Sequence, residues 1–302
     1  ASETTTGKLT RRLLMENSLT FGEYRKYLNK ISEKEQGNAK IIFAALLSSV
    51  TKKTFGETEN DLIMLPLSPI LLSDSQKAEL EKKTDAFCGE NIPYQYLTGE
   101  CEFYGRSFFV NPDVLIPRTD TETLVEKALE IIGKEKKKVL DLCCGSGCIG
   151  LTVAAETDCG VCLADFSAGA LSVTRRNAES LGVADRCEIV LHDIKKDRLD
   201  GTFDVILSNP PYIPENDMKT LSEYVKKEPE TALVGGEDGL DFYRIITAKY
   251  SANLKKGGCL IFECGIHQAE AVGHILETNS FCGVGIKKDS GGIDRTVWGY
   301  KK

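Results

Sequence analysis

The stretch KVLDLCCGSGCIGLTVA, Lys138–Ala154, decides the fold of this 302-residue chain. It reads as a short apolar strand, a glycine-rich turn and an apolar helix, with Gly145, Gly147 and Gly150 in the pattern GxGxxG. Such a turn lets a ligand approach the backbone and places it at the amino end of a helix. The stretch therefore predicts a strand–turn–helix unit that binds a nucleotide-like ligand.

Strand and helix patterns alternate from this stretch to the carboxyl terminus. The β-rich runs are KKVLDL, CGVCLAD, CEIVLHD, FDVILSN and CLIFECG, and helical segments lie between most of them. The closing GVGIKKDSGGIDRTVWGY reads as two strands joined at Ser290–Gly292. Alternation of this kind is typical of a parallel sheet covered on both faces. We therefore predict an α/β fold with a doubly wound, mostly parallel sheet.

The first third of the chain has helical periodicity instead. LTRRLLMENSL, FGEYRKYLNKI and AKIIFAALLSSVTK carry apolar residues three and four apart, and SDSQKAELEKKTDAFCG begins with capping residues. Aromatic residues and glycines then alternate as in a hairpin. The predicted organisation is a small helical bundle domain over residues 1–90, a β-hairpin linker over 91–116 and the α/β domain over 117–302.

Composition limits the classes of partner. The net charge of -7 gives no basic surface for nucleic acid, no apolar run is long enough to cross a membrane, and the N-terminal ASETTTGKLT has no apolar core of a signal peptide. Eleven scattered cysteines favour reduced thiols in the cytoplasm. Cys159 and Cys162 form a CxxC without a second pair, so we expect no metal. We expect a monomer that contacts neither membrane nor nucleic acid directly.

Three aspartates follow or end successive predicted strands. Because ligands of open α/β sheets bind at the carboxyl edge, these side chains are candidates for cofactor contacts. Asp141 suits the ammonium of a methionine moiety, Asp165 can accept both ribose hydroxyls, and Asp193 can accept from an adenine amine with Ile194 packed on the ring. The set predicts S-adenosylmethionine, which has no phosphate, with S-adenosylhomocysteine as product.

The segment NPPY, Asn209–Tyr212, ends the fourth strand at the same edge. Methylation of a planar amide or amine needs its NH2 group oriented, because the lone pair is delocalised. The Asn209 side-chain oxygen and the Pro210 carbonyl can each accept one N–H, and both can stabilise positive charge as the bond forms. The Tyr212 ring can stack on the amide. The segment predicts catalysis by orientation.

Together these motifs resemble the release-factor glutamine N5-methyltransferases, the PrmC/HemK family of class I S-adenosylmethionine-dependent methyltransferases. The resemblance rests on PYQYLTGECEFYG, LIPRTDTETLVE, DLCCGSGCIGL, ADFSAGALSVTRRNA, SNPPYIP, EPETALVGGEDGLDFYRII, IFECGIHQ and DSGGIDR. It implies a seven-stranded methyltransferase sheet, an N-terminal helical domain and a hairpin linker. It also implies that the substrate is the glutamine of the GGQ motif in bacterial-type peptide chain release factors.

The resemblance also assigns residues. Substrate binding falls on Asn209, Pro210, Pro211 and Tyr212, and cofactor binding falls on Cys143, Cys144, Gly145, Ser146, Gly147, Asp165, Asp193, Ile194 and the neighbouring Asn209. The family usually has glycine and threonine where Cys143 and Cys144 stand, and PRPETE where this chain has PRTDTE. Arg118 and Glu122 are still expected to brace the mouth of the active site, or else to form a charge pair at a helix start.

Three other functions are compatible with part of the pattern. NPPY chemistry also serves nucleic-acid amino-methyltransferases, but these need a basic groove or a base-reading domain. Methylation of a ribosomal-protein glutamine differs mainly in the docking domain. An NAD oxidoreductase would use GxGxxG, but this chain offers no obvious proton-transfer residue beside it.

Overall fold

The computed structural model describes residues 17–302, and the chain divides into two compact units that meet between Thr98 and Gly99. The division follows a short helix, Tyr94–Thr98, that sequence patterns did not indicate. The predicted helix LTRRLLMENSL lies mostly outside the described residues. Its end, Ser18–Leu19, pairs as a short strand with Ile70–Leu71.

The first unit is helical. Within residues 17–98 it has five helices, α1 (Phe21–Ser32), α2 (Ala39–Thr51), α3 (Phe55–Met64), α4 (Asp74–Glu90) and α5 (Tyr94–Thr98), and two strands, β1 (Ser18–Leu19) and β2 (Ile70–Leu71). Capping boxes start α1, α3 and α4, where Thr20, Thr54 and Ser73 accept the N–H three residues on. The apolar helix α2 supplies much of the core, including Phe43 and Leu46, which are both fully buried.

The second unit is α/β. Its strands are β3 (Glu100–Phe103), β4 (Arg106–Phe109), β5 (Lys138–Leu142), β6 (Gly160–Asp165), β7 (Cys187–Leu191), β8 (Phe203–Ser208), β9 (Leu254–Glu263), β10 (Phe281–Lys288) and β11 (Asp294–Lys301). Its helices are α6 (Glu122–Ile132), α7 (Cys148–Glu156), α8 (Ala168–Ser180), α9 (Asp241–Tyr250) and α10 (Ala269–Thr278). Strands β3 and β4 form the hairpin.

The large sheet has seven strands in the order β10-β11-β9-β8-β5-β6-β7. Strands β5 to β9 are mutually parallel, and β11 is antiparallel to both of its neighbours. The predicted fold class, a mostly parallel doubly wound sheet closed by a terminal hairpin, is therefore confirmed. The chain order reverses beside β5, so the crevice at this switch point is where a ligand of an open α/β sheet binds.

Apolar layers cover both faces of this sheet. Val139, Val161 and Val205 are register neighbours on β5, β6 and β8 and belong to one buried cluster. Leu140 and Ile206, one residue further along, belong to the cluster on the opposite face. Burial on both faces explains why these strands read as continuous apolar runs. None of the helices in residues 17–302 combines the length and the apolar character that crossing a bilayer requires.

Candidate active site

A cavity of about 490 Å³ opens at the carboxyl ends of β5, β6, β7 and β8. Its volume falls in the range of about 300–1,000 Å³ that is usual for small-molecule sites. Ten residues that sequence patterns singled out line it, namely Arg118, Cys143, Cys144, Gly145, Ser146, Asp165, Asp193, Ile194, Asn209 and Pro211. Five others do not, namely Glu122, Asp141, Gly147, Pro210 and Tyr212.

The glycine-rich turn between β5 and α7 is held in a left-handed conformation. Cys143, Gly145 and Gly147 have φ values of 60°, 54° and 78°. A Cβ on Gly147 would lie 2.8 Å from Leu151 Cδ1 and 2.9 Å from Thr174 Cγ2, so only glycine fits there. A Cβ on Gly145, by contrast, would meet no atom within 4 Å. The turn therefore exposes backbone to the cavity at Gly145.

Asp165 joins this turn to the end of β6. One carboxylate oxygen accepts the Gly145 N–H at 2.9 Å, and the other accepts the Ser167 N–H at 2.9 Å. Burial raises the pKa of Asp165, and these backbone hydrogen bonds oppose the rise. A carboxylate has about four acceptor positions, so Asp165 keeps capacity for a ligand on its cavity side.

Asp193 and Ile194 lie beyond the end of β7. Asp193 accepts the Lys195 N–H at 2.9 Å and pairs with Lys196 Nζ at 3.0 Å, and the hydrogen bond from Lys196 lowers the pKa of Asp193. Ile194 is buried, and its carbonyl accepts from Lys249 Nζ at 2.9 Å. These contacts fix the short segment that forms one wall of the cavity.

Asp141 is placed differently from the prediction. It lies inside β5, one residue before the strand ends, and is fully buried beneath α7, where its Oδ2 accepts the Gly150 N–H at 2.9 Å. Burial raises its pKa to about 7. Asp141 does not line the cavity, and its Oδ1 has no hydrogen-bond partner among the described residues, so the contact with the ammonium of a cofactor stays a prediction.

The NPPY segment is held by a second segment that sequence patterns did not connect with it. Ile213 pairs in parallel with Val234. The Ile213 N–H donates to the Leu233 carbonyl at 2.8 Å, and the Gly235 N–H donates to the Ile213 carbonyl at 2.9 Å. Gly235 is required here, since a Cβ would lie 2.7 Å from the Pro211 carbonyl oxygen. The GGEDGL motif thus supports NPPY.

Tyr212 does not reach the cavity wall. Its carbonyl accepts from Gln268 Nε2 at 2.9 Å, and a Cβ on Gly265 would lie 3.1 Å from Tyr212 Cδ2. Burial raises the pKa of its phenol well above the ordinary value. Tyr212 does not line the cavity as Asn209 and Pro211 do, and its stacking on the substrate amide stays a prediction.

Asn209 borders the cavity with its amide nitrogen turned into the protein. Asn209 Nδ2 lies 3.5 Å from Thr121 Oγ1, and among residues 17–302 no donor contacts the Asn209 side-chain oxygen. Thr121 is buried at the end of a 3-10 turn, Thr119–Thr121, and sequence reasoning did not select it. An acceptor oxygen is consequently free at the position where a substrate N–H must be oriented.

Arg118 and Glu122 do not act as a pair. Arg118 forms an ion pair with the buried Glu228, whose other oxygen accepts the Ile116 N–H at 2.9 Å. Glu122 instead accepts the N–H of Tyr104 at the hairpin turn, at 2.8 Å. Arg118 thus lines the cavity and fastens the EPETA segment, whereas Glu122 supports the hairpin. The sequence signal for Glu228 was the EPETA block itself.

The remaining candidates concern metal and thiol chemistry. Within residues 17–302 no group of three histidine, cysteine or acidic side chains is arranged to hold a metal ion. All eleven cysteines are free thiols. Cys159 and Cys162 are both buried. Cys159 belongs to the core cluster on one face of the sheet, and Cys162 belongs to the cluster on the opposite face.

Comparison with known proteins agrees with this geometry. Residues 119–237 match the methyltransferase small domain family. The release factor glutamine methyltransferase of Clostridium acetobutylicum is 44% identical over 213 residues, which cover 69% of this chain and 75% of that protein. The enzyme of the same name from Geobacter sulfurreducens is 43% identical over 209 residues, covering 68% of this chain and 72% of that protein.

Solved structures are similar in fold. A methyltransferase from Pyrococcus furiosus superposes with a TM-score of 0.51 at 16% identity, covering 75% of this chain and 98% of that one. This likeness agrees with the observed sheet topology. Since the two curated relatives exceed 40% identity over more than two thirds of their own lengths, the chain belongs to the family of release factor glutamine methyltransferases.

Proposed function

We propose that this chain transfers a methyl group from S-adenosylmethionine to the N5 side-chain nitrogen of the glutamine in the GGQ motif of a peptide chain release factor. Family membership supports the reaction class, and the relatives carry this substrate in their names. The observation that carries the proposal is Asn209, which borders the cavity with its amide nitrogen on Thr121 and its oxygen free.

The cavity residues fit S-adenosylmethionine. Asp165 offers an anionic acceptor to the ribose hydroxyls, Asp193 and Ile194 offer an acceptor and an apolar surface to adenine, and Gly145 leaves backbone accessible. Bound there, S-adenosylmethionine supplies an electrophilic methyl group and leaves as S-adenosylhomocysteine. Asp141 supports the turn through the start of α7 with its Oδ2, and its contact with the methionine ammonium stays a prediction.

The chain itself contributes orientation and charge stabilisation. An amide nitrogen is a weak nucleophile, so its NH2 must be held with the face of the amide toward the methyl group. The Asn209 side-chain oxygen accepts one N–H. The Pro210 carbonyl, in the peptide next to the cavity-lining Pro211, accepts the other. As the nitrogen gains positive charge these two oxygens stabilise it, and the proton becomes acidic enough to leave without a strong base.

Recognition of the partner is a separate task. We assign it to the helical first unit, which would bind the folded release factor without touching nucleic acid or membrane. A chain that modifies a translation factor acts in the cytoplasm, and a monomer suffices because all assigned site residues lie within one chain. Arg118, which lines the cavity and is held there by Glu228, would contact the segment that carries the glutamine.

The test is methylation of intact release factor in vitro. The chain, S-adenosylmethionine and a GGQ-containing release factor are incubated, and the modified residue is located by mass spectrometry. We expect one added methyl group on the glutamine side chain, lost when the GGQ glutamine is replaced by alanine. Methylation of a ribosomal protein or of a nucleic acid, with the release factor unmodified, would contradict the proposal.

A further inference from the structure

A buried carboxylate lies beside Asn209 without an assigned role. Glu263 is the last residue of β9 and is 2% exposed. Ser208, the residue before Asn209, is the register partner of Phe262, the residue before Glu263. The two strands therefore bring Asn209 and Glu263 to the same edge of the sheet.

Glu263 is not neutralised by an ion pair. Among the described residues, its Oε2 has no hydrogen-bond partner. Arg295, the cation that acts on it, directs its guanidinium nitrogens to Asp289 Oδ2 at 3.2 Å, Asp120 Oδ2 at 3.3 Å and the Cys264 carbonyl at 3.2 Å. Burying a carboxylate without a direct partner destabilises a fold. A purely structural role would be served better by an apolar residue.

Burial raises the pKa of Glu263 to about 7, and the neighbouring Thr121 and Asn209 side chains oppose the rise. At 3.5 Å the Asn209–Thr121 contact is at the limit of a hydrogen bond, so Thr121 alone holds the amide weakly. The two ends of an asparagine amide have nearly the same shape, and a flip exchanges acceptor for donor. Something must therefore decide which end faces the cavity.

We infer that Glu263 is a positioning residue that fixes the orientation of the Asn209 amide and so presents an acceptor to the substrate. In its ionised form the Glu263 carboxylate only accepts. The Thr121 hydroxyl beside it then donates its hydrogen to Glu263 and accepts from Asn209, so the Asn209 NH2 is drawn inward. This inference rests on the proposed function, because it explains why the site selects a substrate nitrogen that carries hydrogens.

The closing DSGGIDR block holds this arrangement in place. Arg295 contacts Asp120, the neighbour of Thr121, and the carbonyl of Cys264, the neighbour of Glu263. Asp289 accepts from Arg295 and from the Ile293 N–H at 2.9 Å. One buried guanidinium thus ties both partners of Asn209 to the terminal hairpin.

The decisive variant is Glu263→Gln, which keeps the shape and lets the side chain donate as well as accept. We expect the single-turnover methylation rate to fall by about 10²-fold, as on losing one preorganised electrostatic partner, with cofactor affinity unchanged and thermal stability unchanged or higher. Glu126→Gln, at an exposed carboxylate paired with Lys287, is the matched control and should leave the rate unchanged. A rate within twofold of wild type for Glu263→Gln would overturn the inference.

A second measurement does not depend on methyl transfer. The Asn209 side-chain NH2 resonances, identified by their loss in Asn209→Ala, should exchange slowly with solvent in the cofactor-free chain and should shift and exchange faster in Glu263→Gln. If the wild-type chain methylates no release factor, the proposed function fails, and these resonances still decide the inference. Identical resonances in both proteins would overturn it.

Discussion

Gly239 lies directly against Tyr212: a Cβ on the glycine would be 2.3 Å from the Tyr212 carbonyl oxygen and 2.6 Å from Gln268 Nε2. With a φ of 75°, Gly239 also has a conformation that side chains disfavour. We expect Gly239→Ala to displace the NPPY segment and lower the methylation rate by at least tenfold, while cofactor affinity stays near wild type. Calorimetry and single-turnover kinetics measure the two effects, and Gly37→Ala, which meets no atom within 4 Å, is the control.

Asn209→Ala should reduce methyl transfer by roughly 10²–10³-fold with little effect on cofactor binding, because one acceptor that acts in the transition state is lost. Asn209→Asp keeps an acceptor but adds a charge. It should strengthen ground-state cofactor binding without restoring the full rate. Single-turnover rates at saturating cofactor separate these cases. Wild-type transfer by Asn209→Ala would place the chemistry elsewhere.

Asp165→Ala should weaken S-adenosylmethionine binding by about 1–3 kcal/mol, through lost charge-assisted hydrogen bonds to the ribose. Isothermal titration calorimetry measures this directly. The variant also loses the two backbone contacts to Gly145 and Ser167, so its folding is checked by circular dichroism. Unchanged affinity in a folded variant would remove Asp165 from the site, and NAD should not bind to either protein.

Asp141 should make stability depend on pH. Its pKa is raised from 3.8 to about 7 in the folded chain, so its contribution to stability is present below pH 4 and is lost as pH rises through 7. Asp141→Asn should therefore lose less stability between pH 5 and pH 8, by on the order of 2 kcal/mol. Denaturant unfolding followed by the single tryptophan, Trp298 of β11, reports on this unit. Parallel pH profiles for both proteins would contradict the assignment.

A short GGQ peptide should be a much poorer substrate than the intact release factor. If the helical first unit binds the folded partner, the peptide loses remote binding energy that supports the reaction. We expect kcat/KM to fall by more than 10²-fold for the peptide. Equal values for peptide and protein would show that recognition is confined to the glutamine and its neighbours.

The sheet was predictable because its strands are buried on both faces, which leaves uninterrupted apolar runs between helical segments. Two described helices of the first unit were missed, Phe55–Met64 and the short Tyr94–Thr98. The longer one buries only Thr58, and its signal was the capping box Thr54–Glu57 rather than an apolar face. A capping box can thus indicate where a helix begins even when the helix has no apolar face to bury.

Sequence patterns located a site residue correctly only where its position in a strand also decides whether its side chain reaches the cavity. Asp165 ends its strand and reaches the cavity, whereas Asp141, one residue inside β5, turns beneath α7. Thr121 contacts Asn209 from a distant part of the chain, and the pairing of β8 with β9 brings Glu263 to the same sheet edge; no local pattern encodes either. Glu263 in particular reads as one polar residue at the end of an apolar strand.

The bridge between Ile213 and Val234 closes the intervening chain at its base. The chain between these two residues is an excursion from the sheet edge. It contains three short 3-10 turns, Glu215–Thr220, Val225–Lys227 and Glu230–Ala232, and the last of them lines the cavity. Length and sequence can therefore vary between Glu215 and Lys227, while the closure and the contacts of Glu228 with Arg118 and Ile116 hold the two ends of the excursion. Such a layout separates substrate choice from the chemistry at Asn209, so grafting residues 215–227 from a relative is a route to new specificity on an unchanged catalytic frame.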